Sequence, residues 1–481
     1  MNPDPRRWIA LTVIAAAQLM VVLDGSIVNI ALPSAQADLG ISDADRQWVV
    51  TAYVLAFGGL LLLGGRIADQ VGRKKVFVIG LLGFAAASAL GGFAVNSGML
   101  IGARGLQGVF AALLAPSALS LVTVTFTDMK ERHRAFGVYG AVSGGGAAIG
   151  LVLGGVLTEY ASWRWCLLVN VPIAIIAALA AIPTVRESKI TKGTRYDIAG
   201  AILVTGGLTA IVYGFTRAAD PGAGWGNPLT VSLLLGGIII LAAFVFVETR
   251  AQDPLVPLRL VLHRNRAGVF LSSLLIFAGL FSMFLFLSYY FQQNLGFTPL
   301  LSGLAFLPFS AGIAVSAVGG SGLVHRFGPK PLLVFGATLG AIGLAYLLFL
   351  NEHSTYLLNV LPAEVLISIG MGLSSVAQYS LAQHGVAEKD VGVVSALLNT
   401  AQQIGGALGL ALLNTVYAAA VASYLLAHKT GATAHSLAAL SGYQQAFLVG
   451  MIMLLAAALI VSVLVKRDRT VSEPIPTAVH A

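Results

Sequence analysis

Two carboxylates and one guanidinium stand where charge is expensive. Asp24 lies inside the apolar run that begins at Trp8, Arg104 inside the run from about 98 to 124, and Glu364 inside the run from about 356 to 379. A charged side chain at mid-depth in hydrocarbon costs at least about 2.5–3.5 kcal/mol, so it marks an ion pathway, a relay or a pair. Burial disfavours the charged form of a carboxylate. Such a group can hold a proton, release it when water arrives and exchange it for a cation. Asp24 is therefore a proton-coupling or substrate-sensing candidate. The plainer alternative is a helix-packing carboxylate bonded to Asn29 or to a backbone amide of another helix. Arg104 is either a functional, gating cation or one end of a structural salt bridge. Glu364 faces inward, or lies close to the outer surface because Pro362 precedes it. Gln107 and Asn29, in the same runs as Arg104 and Asp24, belong to this candidate set. They and Gln18, Gln378, Asn399, Gln402, Gln403 and Asn414 either line a wet cavity or make interhelical hydrogen bonds.

The elements that must position these groups are membrane helices. The 481 residues are 57% hydrophobic and 10% charged, far below the roughly 25% charge of a soluble domain. A span needs about 20 apolar residues. Fourteen runs qualify, near 8–32, 47–65, 75–95, 98–124, 135–158, 164–183, 197–216, 229–247, 267–291, 300–323, 331–350, 356–379, 393–418 and 444–465. They are too long and uniform for the alternating strands of an outer-membrane barrel. The first is too long for a signal core and holds Asp24, so it reads as a retained helix.

Lysine and arginine set the orientation. With the N-terminus in the cytoplasm, 23 of the 28 basic residues fall in inner segments, among them Lys189, Lys192, Arg195, Lys389, Arg467 and Arg469. The outer loops hold Arg46, Arg164, Arg217 and Lys429. Both termini are thus expected in the cytoplasm. The five tryptophans sit at span ends, as an interfacial belt would. The net charge of +8 lies in these short clusters, which argues against nucleic acid.

Polar connections near 184–196 and 248–266 bracket spans seven and eight, leaving six spans on either side. The halves echo each other: Gly65-Arg-Ile-Ala-Asp69-Gln-Val-Gly72-Arg-Lys returns at an offset of 256 as Ser321-Gly-Leu-Val-His325-Arg-Phe-Gly328-Pro-Lys. Repeated halves around a central site are a transporter architecture. Glu364 falls near the counterpart of Arg104, so both are expected at a shared cavity. In the Gly65–Lys75 segment, Gly65 and Gly72 permit tight turning. Asp69 either accepts bonds from the N-terminal amides of a neighbouring helix or pairs with Arg73, a latch for one conformation. Arg73, Lys74 and Lys75 also anchor topology. Gly146, Gly150, Gly154 and Gly155 let helix backbones approach closely. One cysteine, Cys166, precludes an intrachain disulfide or thiolate cage. There is no Gly-Lys dipeptide, hence no Walker loop, and no metal-ligand spacing among the histidines. No cofactor, metal or enzymatic activity is expected.

These residues also carry a resemblance. The chain resembles the major facilitator superfamily, and within it the fourteen-helix drug:proton antiporters. Leu23-Asp24-Gly25-Ser26-Ile27-Val28-Asn29-Ile30-Ala31-Leu32-Pro33 is similar to that group's first-helix motif. Gly65-x-Ile67-Ala68-Asp69-x-x-Gly72-Arg73-Lys74 is similar to the loop signature after helix two. Leu100-x-x-x-Arg104-x-x-Gln107-Gly108 matches the fourth-helix motif, whose arginine the resemblance implicates in proton transfer. Gly146-x-x-x-Gly150-Leu-x-x-Gly154-Gly155 resembles the antiporter motif of helix five, and Trp163-Arg164-Trp165-Cys166 to Asn170-x-Pro172 follows it. The chain departs at Leu151, where the helix-five motif usually has proline, at Gln70 and Gln402, where arginine is common, and at His325 in place of an acid.

The resemblance implies two six-helix bundles plus two accessory helices, an all-α major facilitator fold in the inner cell membrane. Residues 1–190 would form the first bundle, 191–262 the accessory insert and its linkers, and 263–481 the second bundle. Asp24 and Arg104 would couple protons, and Asp69 would brace the cytoplasmic ends. The expected function is proton-driven efflux of small lipophilic, in part cationic, drugs or metabolites by a monomer alternating its access. A dedicated exporter of one metabolite or antibiotic and a proton–solute symporter remain alternatives, as do, outside transport, a membrane receptor and a transferase.

Overall fold

The computed structural model describes residues 6–126, 128–188, 197–220, 222–251, 254–387, 390–427 and 434–466. Lys189, Lys192, Arg195, Lys389, Lys429, Arg467 and Arg469 of the charge argument lie outside them. The described chain is helical, and fourteen helices are long and apolar enough to cross a membrane. They are α1 (Arg7–Leu39), α2 (Trp48–Val71), α3 (Arg73–Gly92), α4 (Ser97–Thr125), α5 (Lys130–Tyr160), α6 (Trp165–Thr184), α7 (Ile198–Ala219) and α8 (Pro228–Arg250). Then come α9 (Arg264–Asn294), α10 (Pro299–Phe327), α11 (Pro329–Phe349), α12 (Tyr356–Gln383), α13 (Val391–Ala427) and α14 (Ala434–Leu464). Lipid offers no partner for free backbone groups, which forces this all-helical solution. An even number of spans puts both ends of the described chain on one face, the terminal face.

Packing repeats with the chain. In the first half α1 packs on α5 and α6, α4 on α2 and α3, and α3 on α6. In the second, α9 packs on α13 and α14, α12 on α10 and α11, and α11 on α14. Each contact maps onto its counterpart eight helices later. The halves meet through α2 with α13 and α5 with α10, a pair of contacts related by the same exchange. The repeat reaches the loops. A single glycine joins α2 to α3 (Gly72, φ +125°) and another joins α10 to α11 (Gly328, φ +83°). Only glycine adopts such backbone readily. Gly65, expected to turn, instead lies inside α2.

The accessory helices are peripheral but unequal. α8 packs on α7, whereas α7 also touches α2 and α13, one from each half. Gln47 Nε2 donates to Thr216 Oγ1 at 2.9 Å, and Thr415 Oγ1 donates to the Phe215 carbonyl at 2.8 Å. On the terminal face, Arg259 in the linker before α9 grips both oxygens of Asp390 at 3.0 Å. That hydrogen bonding holds its guanidinium above the usual arginine range.

Candidate functional site

Asp24 and Arg104 form a buried ion pair, Nη1 to Oδ2 at 2.6 Å, with side-chain exposures of 0% and 1%. Close helix contacts deliver them. A Cβ on Gly108 would come within 2.4 Å of the Tyr53 carbonyl, and one on Gly64 within 2.0 Å of the Ala112 carbonyl, so α2 and α4 run backbone to backbone. That contact brings the Val49 carbonyl to 3.0 Å from Arg104 Nε and the Tyr53 ring to 4.5 Å from its guanidinium. On the other side of α1, Cβ atoms on Gly146, Gly150 and Gly154 would strike Val22, Ser26 with Leu23, and Ile27. Small residues every fourth position thus seat the α1 segment that carries Asp24.

Of the remaining partners, Gln107 belongs to the candidate set, while Ser88 and Asn170 do not. Gln107, one turn after Arg104, accepts from Arg104 Nη1 at 2.8 Å and donates to Asp24 Oδ1 at 2.9 Å and to Ser88 Oγ at 2.8 Å. Asn170 of α6 donates to Asp24 Oδ1 at 2.8 Å and to Ser88 Oγ at 3.1 Å. Ser88 donates to the Leu167 carbonyl at 2.9 Å. Both Asp24 oxygens are therefore engaged, by donors from α4 and α6, with α3 closing the ring. A buried ion pair is tolerable only when its leftover valences are hydrogen-bonded, and this network does so for both Asp24 oxygens, while Asn170 Oδ1 stays buried without a hydrogen-bond partner.

Other candidates fall elsewhere. Asn29 does not bond Asp24. Its amide donates to the Gly25 and Ser26 carbonyls at 3.3 Å, and its own carbonyl accepts from Ser288 of α9 at 2.8 Å. Glu364 and Arg104 share no cavity, because each is buried inside its own half. Glu364 Oε2 accepts from Tyr356 at 3.3 Å, while Oε1 is buried with no hydrogen-bond partner. Gln107, Gln378 and Asn414 are fully buried, so they serve as interhelical links rather than cavity lining. Gly155 packs on α10, where a Cβ would come within 2.6 Å of Leu300 Cα. Asp69 pairs with Arg73 at 2.8 Å. The α3 amides are taken instead by Glu187, whose carboxylate accepts from Lys74 N at 3.1 Å and Lys75 N at 3.2 Å.

The halves join at the face opposite the termini. Besides Ser288, Gln292 of α9 donates to the Ile30 carbonyl at 3.1 Å, Leu300 N of α10 to Glu159 at 2.9 Å, and Asn414 of α13 to the Asp43 carbonyl at 3.2 Å. Tyr289 donates to Gln36. Toward the terminal face α5 and α10 part. A Cβ at Gly137, Gly140, Gly144, Gly145, Gly319 or Gly322 would meet nothing within 4 Å. The cleft between the halves is closed at the opposite face and open at the terminal face.

A second, lateral cavity of about 660 Å³ lies between α2, α7 and α8, lined by Leu60, Leu63, Ile202 and Leu233 among others. It is apolar and remote from the charged network, and it faces where lipid chains pack. Among the described residues no group of three or more His, Cys, Asp or Glu side chains could hold a metal ion.

Two repeated six-helix halves around a cleft open at one face, with an ion pair buried in one of them, define a secondary membrane transporter. The description of the Major Facilitator Superfamily matches residues 14–410, and the chain belongs to that family. It is 52% identical over 460 residues to the puromycin resistance protein pur8 of Streptomyces alboniger, covering 95% of this chain and 91% of that one. It is 41% identical over 411 residues to the cephamycin export protein CmcT of Amycolatopsis lactamdurans, covering 85% and 84%. It is 31% identical over 441 residues to the multidrug efflux pump LfrA of Mycolicibacterium smegmatis, covering 90% and 86%. Among solved structures, the inward-facing, unoccupied bacterial homolog of the human lysosomal transporter Spinster aligns with a TM-score of 0.65 at 16% identity, over 96% of this chain and 97% of that one. The chain is a multi-pass efflux transporter of the inner cell membrane, not an enzyme.

Proposed function

We propose that the chain is a drug:proton antiporter working as a monomer, with Asp24 as its proton-carrying group. The observation that carries this is the fully buried Asp24–Arg104 pair, bridged by Gln107, Asn170 and Ser88 across four helices. A proton arriving at Asp24 removes the charge that holds Arg104, leaving a buried cation to find new partners. The shift of α1 against α4 is then the coupling step. Because Asp24 is sealed inside the first bundle, cargo influences it through helix packing rather than by contact.

In this reading the terminal face is cytoplasmic, in keeping with the lysine and arginine bias. Residues 1–190 and 263–481 are the two moving bundles, and 191–262 is the insert bridging them at α2 and α13. Asp69, Arg73, Gly65 and Gly72 belong to a terminal-face latch that is disengaged while the cleft is open there. Glu364 is a second proton site in the second bundle. The cargo is a small molecule of antibiotic or drug size, as the relatives' names suggest, and in this reading a lipophilic one, cationic members included. Each inward charge contributes about 2.3 kcal/mol per 100 mV and each pH unit about 1.4 kcal/mol, so one or two protons suffice for a steep gradient.

The test is efflux in vesicles with an imposed pH gradient. Asp24→Asn is expected to abolish proton-driven efflux in protein that still elutes as a folded species. Normal gradient-driven transport by that variant removes Asp24 from the mechanism. Cargo-induced quenching of an internal pH dye separates antiport from symport by its sign.

A further inference from the structure

Arg46, in the loop between α1 and α2, is a loop cation that is not in water. Its side chain is 2% exposed. It crosses from the first half into the second, where its guanidinium carbon lies 4.3 Å from the Tyr289 ring centroid and 4.8 Å from that of Tyr417. Tyr443 stands behind, 5.2 Å from Tyr417, and Phe286 stacks on Tyr417 at 5.5 Å. The one carboxylate in reach, Asp43, touches Nη1 at 3.3 Å and is itself largely exposed. Nε and Nη2 of Arg46 have no hydrogen-bond partner, and neither has the buried Tyr443 hydroxyl. The cation is thus held mainly by ring faces, with one guanidinium nitrogen on Asp43. That is the chemistry of an aromatic cage, which reads charge without directional bonds and tolerates ammonium groups of many shapes.

The rings belong to α9, α13 and α14, and the plug belongs to the other half. Opening the cleft at the opposite face must separate them, because the Asn414–Asp43 and Ser288–Asn29 bonds break in the same movement. We propose that the Tyr289–Tyr417–Tyr443 box is an exit subsite for the cationic group of the cargo, and that Arg46 is the tethered cation that empties it as the gate recloses. This rests on the efflux reading above. A tethered group competes at a high effective concentration, so reclosure drives a bound cation outward and prevents its return with the resetting carrier. A neutral cargo would pass the box without being held.

The test uses the full chain in lipid nanodiscs and ethidium as the probe, with binding read by its fluorescence. Arg46→Gln is expected to create a second class of ethidium sites absent from the wild type. Adding Tyr417→Leu should abolish that class, whereas adding Tyr417→Phe should keep it. No new sites in folded Arg46→Gln protein, or sites that survive Tyr417→Leu, overturn the proposal. Should Arg46→Gln not fold, Tyr417→Leu alone decides. In vesicles it is expected to weaken inhibition of efflux by external ethidium about tenfold, with Tyr417→Phe unchanged, and equal inhibition in all three overturns the box. Wild-type protein that moves no ethidium in vesicles shows that ethidium is not a cargo, while the nanodisc result still judges the box.

Discussion

Gly150 of α5 and Ser26 of α1 are packed so closely that a Cβ on the glycine would lie 2.0 Å from the serine hydroxyl and 2.9 Å from the Leu23 carbonyl. Leu23 and Ser26 flank Asp24 in α1, one residue before it and two after, so the seat of the ion pair depends on this contact. Overpacking of this kind costs about 1–3 kcal/mol. Gly150→Ala is expected to lower the melting temperature and to reduce transport. Gly144→Ala, on the same helix but with nothing within 4 Å, should leave stability unchanged or raise it by up to about 1 kcal/mol. Equal melting temperatures for the two variants would separate α5 packing from the site.

The ion pair makes a second prediction through non-additivity. Asp24→Asn leaves Arg104 buried without its counter-charge, at a cost of about 3 kcal/mol. Arg104→Gln should cost about as much by stranding the carboxylate. The double variant is expected to be more stable than the summed single losses by about 0.5–3 kcal/mol. Purely additive losses would mean that Gln107 and Asn170 hold Asp24 as firmly as Arg104 does.

Much of this was legible in the chain because lipid imposes simple rules. The spans follow from uninterrupted apolar length, and the six-two-six layout from two polar connections and a repeated loop. Asp24 and Arg104 stand out because each is a charge in an apolar run, but their pairing does not, since 80 residues and two intervening spans separate them. Ser88 gives no signal, and Asn170 stands out only as part of the segment after the helix-five motif, with no role attached. Small polar residues are common in membrane helices, and only the crossing of α3 and α6 behind α4 gives these two a role. Arg46 reads as an ordinary outer-loop cation. Its burial depends on rings supplied by helices more than 240 positions later. The expectation of a cavity shared by Arg104 and Glu364 failed because the repeat places equivalent residues inside their own bundles, not across from one another.

Of the two alternatives for Asp69, the pairing with Arg73 is the one found, and the α3 amides go to another acid. Asp69 is occupied by Arg73, and Glu187 arrives from the connection after α6. Gly72 lets it come so near, because a Cβ there would lie 2.8 Å from the Glu187 carboxyl carbon at a φ of +125°. Glu187→Ala is expected to cost about 0.5–1 kcal/mol through the helix dipole, as a lowered melting temperature that high salt partly masks. Gly72→Ala should cost more, about 1–3 kcal/mol of backbone strain. If Glu187→Ala leaves the melting temperature unchanged, the terminal-face latch does not use this acid.

Glu364 offers the last prediction. It has one oxygen on Tyr356 and the other without a partner, and the Tyr356 hydroxyl is also committed to the Ala305 carbonyl at 2.7 Å. Among the described residues no cation balances it in the way that Arg104 balances Asp24, so neutralising Glu364 removes no ion pair there. Glu364→Gln is therefore expected to fold with a melting temperature close to wild type. As a second proton site, its loss should lower the number of protons exchanged per cargo. The measurement is the pH gradient at which net cargo flux reverses in vesicles, set against a fixed cargo gradient. With fewer protons per cycle, each pH unit drives less cargo, so the reversing gradient must grow. A reversal point identical to wild type would leave Asp24 as the proton carrier and reduce Glu364 to a buried packing acid.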